Sequence, residues 1–344
     1  MQLYNKHSAE ERARIIDENS QQRITLSFYK YFKLGNPNLF RDHIFIIWSE
    51  LDVLGRIYVA YEGINAQISV PKENYNSFKE SLKKLNPLNG IRLNRAVEQY
   101  NKSFLKLTIK VREKIVADGL DDKSFDVTQI GDHLDAKEFN QMLNNKNTVC
   151  VDMRNHYESE IGYFKGAIKP DVDTFRESLQ VIDAQLEKNG KEKNYLMYCT
   201  GGIRCEKASA YLKHKGVENV YQLEGGIIEY TRQVKENNLD NNFLGKNFVF
   251  DERKSERISD EVVSSCHQCG DPADTHVNCA NVACHLLFIQ CKKCQEKMNT
   301  CCSEDCRNTI ELSYEKQKEL RKGKQNSNKI FKKGRASHIK TSQH

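Results

Sequence analysis

The chain has 344 residues, more than one compact domain usually holds, and a moderate net charge of +6. Hydrophobic residues make up 38% of it, and it has neither an apolar run of about eighteen residues nor an N-terminal secretion signal. These properties argue against membrane-spanning and secreted proteins, so we expect a cytoplasmic protein of two or more domains with no membrane partner.

The first part of the chain alternates between strand and helix patterns. Residues 1–22 are polar and contain a helix-forming stretch, which predicts a lead-in to the first domain. The order β-α-β-β-α-β over 23–115 predicts a ferredoxin-like α+β sandwich. We place its strands at 24–32, 55–60, 64–70 and 104–111, the last closing the sheet, and its helices at 39–48 and 74–85.

A polar linker at 117–124 separates this domain from a second one, which contains a reactive cysteine. There an apolar strand leads into Cys199, a glycine-rich loop, Arg204 and helix-forming residues. The loop N–H groups, the positive end of the following helix and a guanidinium all favour an anion at the sulfur. The pattern predicts Cys199 and Arg204 as catalytic residues, with an active-site loop between them: Thr200, Gly201, Gly202 and Ile203. A purely structural cysteine would leave the glycines and the arginine unexplained.

The spacing within this loop narrows the chemistry. Cys-x4-Arg is one residue shorter than the Cys-x5-Arg loop of cysteine phosphatases. The narrower cradle suits a sulfur or oxygen species carried on the thiol better than a tetrahedral phosphate. Cys205, at the start of the next helix, is either a packing residue or a second, resolving thiol, and the sequence leaves both interpretations open.

The Cys199 loop resembles the active loop of rhodanese-like domains, in which the cysteine carries a persulfide. The Asp-x-Arg run at 152–154, Glu158 and the glycine-containing run at 162–168 are similar to the rest of that signature. A Tyr-Phe pair in the last run stands where His-Ile is usual. The resemblance implies a rhodanese-like α/β domain with a parallel sheet at 130–240.

The third part of the chain is rich in cysteine. In a chain without a secretion signal, twelve cysteines indicate metal binding or catalysis rather than disulfides. Paired Cys-x2-Cys turns bring two thiolates to one ion, and four ligands close a structural site. We predict a zinc module at 260–310 that holds two structural ions, with one ion as the alternative and the ligand partition left open. The candidate ligands are Cys266, Cys269, Cys279, Cys284, Cys291, Cys294, Cys301, Cys302 and Cys306, with His267, His276 and His285 interleaved.

Residues 311–344 form a basic tail. After position 314 the tail has ten Lys or Arg against two Glu, which fits electrostatic docking to a phosphate backbone. A solubilising tail without a partner is the alternative, and we expect part of this segment to be disordered. The candidate RNA-binding residues are Lys322, Lys324, Lys329, Lys332, Lys333 and Arg335.

Four runs taken together resemble the rhodanese-like tRNA uridine hydroxylases: 55–65, 199–209, 266–291 and 328–332. This resemblance implies oxygen-dependent conversion of the wobble uridine in a tRNA anticodon loop to 5-hydroxyuridine, with Cys199 essential and carrying a persulfide. Molecular oxygen would be the co-substrate, and a sulfur or electron donor a further partner. We recognise no flavin or nicotinamide loop in the sequence.

Two other functions remain open. A persulfide sulfurtransferase, acting on tRNA or on a small thiol acceptor, would use the same Cys199 loop. A sulfurtransferase that acts on small molecules, however, needs neither the N-terminal domain nor the zinc module. A non-catalytic zinc-bearing adaptor could have lost Cys199 or Arg204, and both are intact. The hydroxylase is the interpretation that uses every part of the chain.

Overall fold

A computed structural model describes residues 3–119 and 128–322 of the chain. Its first element, helix α1 (Ala9–Glu18), packs against the first domain. Ser8 and Glu11 form a capping box that satisfies N–H groups at the start of the helix. Ile16 is buried in a small apolar cluster with Leu54 and Phe104, and the Arg12–Asp52 ion pair at 2.8 Å adds a polar attachment of the lead-in.

The first domain is a five-stranded sheet with helices on one face. Phe28 and Phe78 pack around Trp48 in the core between sheet and helices, with ring centroids 6.1 and 5.6 Å from the indole. Because side chains alternate across a strand, the opposite face of the sheet carries polar residues. The elements are β1 (Arg23–Tyr31), α2 (Pro37–Glu50), β2 (Leu54–Ala60), β3 (Gly63–Pro71), α3 (Tyr75–Lys84), β4 (Asn94–Arg95) and β5 (Leu107–Val111), with short 3-10 turns at Lys72–Asn74 and Asn86–Leu88.

The strand order β4-β1-β3-β2-β5 contains the expected ferredoxin-like arrangement. The prediction of which strand closes the sheet was wrong. The strand that closes the sheet beside β1 is the two-residue β4, which pairs antiparallel with it. The predicted strand at 104–111 instead contributes β5, parallel to β2 at the opposite edge. The side chains of Gln99 and Asn101 accept hydrogen bonds from β1 N–H groups, so side chains complete an edge that a longer strand would otherwise cover.

The second domain is an α/β unit built on a parallel sheet of order β6-β10-β9-β7. Apolar clusters lie on both faces of the sheet, as expected when helices cover both sides of parallel strands. Its elements are β6 (Asp132–Leu134), α4 (Ala136–Leu143), β7 (Thr148–Asp152), α5 (His156–Ser159), β8 (Gly162–Phe164), α6 (Phe175–Asn189), β9 (Asn194–Tyr198), α7 (Ile203–His214), β10 (Val220–Leu223) and α8 (Gly226–Asn237).

The third part is joined to the second by a shared sheet. Strand β8 pairs antiparallel with β11 (Phe243–Phe248), and β12 (Ser255–Arg257) extends the sheet on the other side. His267 also lies 2.6 Å from the Glu160 carboxylate of the second domain. The remaining elements are β13 (His276–Asn278), β14 (Leu287–Ile289), α9 (Lys292–Met298), α10 (Glu304–Ile310) and α11 (Tyr314–Arg321).

The predicted fold class is confirmed: an α+β sandwich, an α/β domain with a parallel sheet and a cysteine-rich module follow one another. Within the described ranges, none of the helices has the length and apolar character needed to cross a bilayer.

Candidate active site

Cys199 lies between the end of β9 and the start of α7, with 0% of its surface exposed. Its Sγ accepts a hydrogen bond from the N–H of Gly202 at 3.1 Å. Gly202 has a φ of 101°, and a Cβ at this position would lie 2.8 Å from the Tyr29 hydroxyl. Glycine is therefore required here both by backbone conformation and by the close approach of the first domain.

The surroundings of Cys199 stabilise its thiolate. Burial opposes ionisation, but the pKa of Cys199 is lowered to about 6 by a hydrogen bond from Cys205, the charge of Arg204 and two loop N–H groups. Burial and the neighbouring sulfur raise the pKa of Cys205 well above its ordinary range, so Cys205 remains the protonated donor. At neutral pH this arrangement provides one nucleophilic sulfur and one thiol that supports it.

Arg204 is held by a buried ion pair with Glu158. Its two terminal nitrogens lie 2.6 and 2.8 Å from the carboxylate oxygens of Glu158, which is fully buried in α5. Burial works against ionisation of Glu158, and the cations Arg204 and Arg154 keep its pKa below the usual range. A bidentate pair fixes the plane of the guanidinium, so the positive charge stays beside Cys199.

Behind this pair, Asp152 orients Arg154. The Arg154 guanidinium lies 2.6 Å from an Asp152 oxygen and donates to the carbonyl of Gly162, and both charged side chains are fully buried. The ring of Phe243 lies 5.6 Å from it. The contact of Arg154 with this ring connects the second domain to β11 of the third part.

The first domain contributes a hydrogen-bond network that sequence reasoning missed. The Tyr29 hydroxyl donates to Glu206 at 2.8 Å, and His133 Nε2 lies 3.0 Å from the same carboxylate oxygen. Tyr29 and Glu206 are 177 positions apart. The only sequence signal was the polar alternation of β1, which places Tyr29 on the polar face of its sheet.

A cavity of about 480 Å³ opens over the Cys199 loop where the three parts of the chain meet. Its walls are the polar face of the first sheet, the Cys199 loop and the segment that follows β11. The residues around it combine aromatic rings with amide and guanidinium groups, including Tyr29, Arg56, Tyr58, Asn94, Tyr157, Phe250 and Arg253. Such a mixture can hold a planar polar ring beside a nucleophilic sulfur.

The cysteine-rich module brings eight thiols into two groups of four. Within each group all sulfur atoms lie within 4.8 Å of one another, close enough to coordinate one ion together. Soft thiolate ligands in sets of four suit zinc rather than magnesium or calcium. Group one consists of Cys266, Cys269, Cys291 and Cys294, and group two of Cys279, Cys284, Cys302 and Cys306.

One cysteine and two histidines near these two groups belong to neither of them. Cys301, one of the nine candidate ligands, is fully buried in an apolar cluster and belongs to neither group. His267 pairs with Glu160, and His276 packs edge-on against Phe248 at 5.3 Å. Eight of the nine candidate cysteines thus fall into two groups that could each hold one ion.

The chain matches three family models and many curated relatives. The models are "UPF0176 acylphosphatase like domain" over 23–115, "Rhodanese-like domain" over 135–233 and "Rhodanase C-terminal" over 244–307. The protein named tRNA uridine(34) hydroxylase from Leptospira interrogans is 52% identical over 334 residues, covering 97% of this chain and 90% of the relative. The chain belongs to the tRNA uridine(34) hydroxylase family.

Two further relatives with the same name support this membership. The protein from Hamiltonella defensa is 53% identical over 97% of this chain and 94% of its own length. That from Yersinia pestis is 54% identical over the same shares of the two chains. The predicted membership of the tRNA uridine hydroxylase family is therefore confirmed.

Most of the predicted RNA-binding residues lie outside the residues that the structure describes. Lys322 is exposed directly after α11. The others fall beyond residue 322 and are Lys324, Lys329, Lys332, Lys333 and Arg335.

Proposed function

We propose that this chain hydroxylates the wobble uridine of tRNA, position 34, at C5 and so forms 5-hydroxyuridine. The observation that carries the proposal is the position of Cys199, a thiol with a pKa lowered to about 6, in a cavity formed by all three parts of a chain of this family. The cavity volume of about 480 Å³ suits a single nucleoside rather than a folded RNA. The target base must leave its stack to reach the sulfur, which costs little in an anticodon loop.

Cys199 acts as a nucleophile in this proposal. The C5=C6 bond of uracil is conjugated to a carbonyl, so addition of a sulfur anion at C6 moves an electron pair to C5 as an enolate. Oxygen captured at C5 forms a C–O bond there, and the second oxygen atom leaves as water with two electrons from a donor of the thiol class. Loss of the C5 proton and of the sulfur from C6 then restores the ring as 5-hydroxyuracil and regenerates the sulfur anion carried on Cys199.

The attacking sulfur is the terminal atom of a persulfide on Cys199. A short loop with N–H groups directed at the sulfur, and Arg204 held beside it by Glu158, suits an anion of this kind. An external donor of sulfane sulfur first loads the outer sulfur onto Cys199, elimination from C6 leaves the persulfide anion in place for the next turnover, and molecular oxygen is the co-substrate. Cys205 supports the anion as a hydrogen-bond donor.

The two groups of four cysteines hold structural zinc ions in this proposal. Thiolate sets without a vacant position stabilise a fold rather than activate a substrate. The module they close lies against the second domain through His267 and Glu160. The module also packs against Phe248 and Phe250, so zinc would maintain the third wall of the cavity.

The proposed substrate, tRNA, needs a surface on the protein that binds its phosphates. The basic tail, which includes Lys322, supplies phosphate contacts that are independent of sequence. An enzyme that modifies tRNA anticodons works in the cytoplasm, and we place this protein there.

Nucleoside mass spectrometry tests the proposed function. Purified protein with a sulfur donor, air and unmodified tRNA should generate 5-hydroxyuridine, and exclusion of oxygen should stop its formation. A strain lacking the protein should lose the nucleoside and regain it on complementation. Accumulation of a thiolated nucleoside instead would establish the sulfurtransferase and overturn the hydroxylase.

A further inference from the structure

The polar face of the first sheet carries a row of side chains across four strands above the Cys199 loop. In the strand register, Asn94 of β4 lies opposite Ser27 of β1, Ser27 opposite Gln67 of β3, and Gln67 opposite Arg56 of β2. Residues that face each other in register project from the same side of a sheet. All four line the cavity that contains Cys199.

Asn94, at the Cys199 end of this row, has an unused acceptor. Its side-chain Nδ2 donates to the Gly201 carbonyl at 3.4 Å, which orients the amide relative to the active-site loop. The residue is only 5% exposed, and its Oδ1 has no hydrogen-bond partner among residues 3–119 and 128–322. A buried carbonyl oxygen left unpaired is costly, so this atom is suited to a ligand that carries a donor.

Arg56, at the other end of the row, is an exposed cation. It projects from the middle of β2 and forms no ion pair within the described ranges. Three strand spacings of about 4.8 Å separate it from Asn94, roughly 14 Å in all. That span accommodates one nucleotide, with its base near Asn94 and a flanking phosphate near Arg56.

We propose that Asn94 reads the Watson–Crick edge of the target base and selects uracil over cytosine, while Arg56 binds the adjoining phosphate. This inference rests on the proposed function and adds to it the residues that determine specificity. Uracil N3–H donates to Asn94 Oδ1, and a second hydrogen of Nδ2 is available for a uracil carbonyl. Cytosine presents an acceptor at N3, which Oδ1 repels, and the bond to Gly201 opposes the amide flip that would relieve the repulsion.

The test is equilibrium binding of the full chain, without oxygen, to two anticodon stem-loops that differ only in uridine or cytidine at position 34. Wild-type protein should prefer uridine by about tenfold, as expected for one good base-edge contact. Asn94→Ala and the similarly sized Asn94→Leu should reduce this preference to about one. Arg56→Ala should weaken binding of both RNAs equally and reduce the slope of log affinity against log salt by about one. Lys110→Ala is the matched control and should change neither quantity, because Lys110 is an exposed cation at the edge strand β5 whose side chain does not line the cavity.

A structural role for Asn94 would give a different result. If it only supports the loop through Gly201, the Asn94 variants will change the pH dependence of Cys199 alkylation and retain the uridine preference, which would overturn the inference. An Arg56→Ala slope equal to that of wild type would overturn the phosphate assignment. If wild-type protein prefers uridine and the Asn94 variants prefer it equally, only this inference is refuted. Absence of 5-hydroxyuridine formation by wild-type protein would refute the proposed function on which it rests.

Discussion

Replacing Cys205 with alanine should raise the pKa of the Cys199 thiol. A hydrogen bond from Cys205 is the largest of the interactions that favour the Cys199 anion over the opposing effect of burial. The overall change from 9.0 to about 6 corresponds to about 4 kcal/mol, at about 1.4 kcal/mol for each tenfold change in ionisation. A hydrogen bond to a charged group contributes about 1.5–3 kcal/mol, so its loss should move the pKa to between about 7 and 8.

Alkylation of Cys199 by iodoacetamide as a function of pH measures this change. Only the thiolate reacts, so the rate should rise through a midpoint near pH 6 in wild-type protein and near 7 to 8 in Cys205→Ala. The peptide containing Cys199 must be followed by mass spectrometry, because the chain has twelve cysteines. Because the thiolate is lost as pH falls through the pKa, formation of the persulfide on Cys199, and with it hydroxylation by the variant, should be impaired at mildly acidic pH and recover at alkaline pH.

Cys205→Ser is the matched control, because a serine hydroxyl retains a donor at the same position. Its midpoint should lie closer to that of wild type than to that of Cys205→Ala. Equal midpoints in wild type and Cys205→Ala, or a wild-type midpoint near 9, would refute the reasoning. Complete loss of turnover at every pH in Cys205→Ala would instead indicate that both sulfurs take part in the chemistry.

Three other predictions address the rest of the chain. Cys199→Ser should retain the wild-type circular dichroism spectrum and form less than a few per cent of the 5-hydroxyuridine, because a hydroxyl does not ionise at neutral pH; substantial turnover by the folded variant would exclude Cys199 as the nucleophile. Elemental analysis should find about two zinc ions per chain, one fewer in Cys266→Ser and an unchanged number in Cys301→Ser, whose side chain belongs to neither thiol group; equal loss in both variants would contradict the partition. Truncation after Tyr314 should weaken tRNA binding and flatten its salt dependence while turnover of a short anticodon stem-loop changes little; identical slopes would show that the tail does not contact the RNA.

The Cys199 site was predictable from sequence because its parts are contiguous. The strand, the loop and the helix N-terminus that surround Cys199 all lie within 194–214, and local rules relate such a run to an anion-binding turn. The pairing of Arg204 with Glu158 spans 46 positions and was not predicted, since the resemblance to rhodaneses pointed to Glu158 only as part of a signature. The contiguous run therefore predicted the nucleophile Cys199, whereas the distant residues around it could not be placed from sequence patterns.

The errors and omissions arose from long-range pairing. Strand β4 has two residues and β5 five, too few for periodicity to predict which edge of a sheet either strand occupies. Asn94 lies between the predicted helix at 74–85 and the predicted strand at 104–111, and its position beside Gly201 results from pairing with β1 and from docking between domains. The exclusion of Cys301 was equally inaccessible, because adjacent cysteines point in directions that only the folded backbone determines.

The order of the eight grouped cysteines along the chain has a consequence for protein synthesis. The two groups interleave: Cys279 and Cys284 of the second lie between the two halves of the first, and Cys302 and Cys306 follow both. A nascent chain leaving the ribosome therefore exposes thiols of both groups before either set is complete, and the second is completed only when Cys306 has emerged. Translation that stalls before this point leaves unpaired thiols open to oxidation, so the rate of elongation through this segment affects the yield of correctly assembled protein.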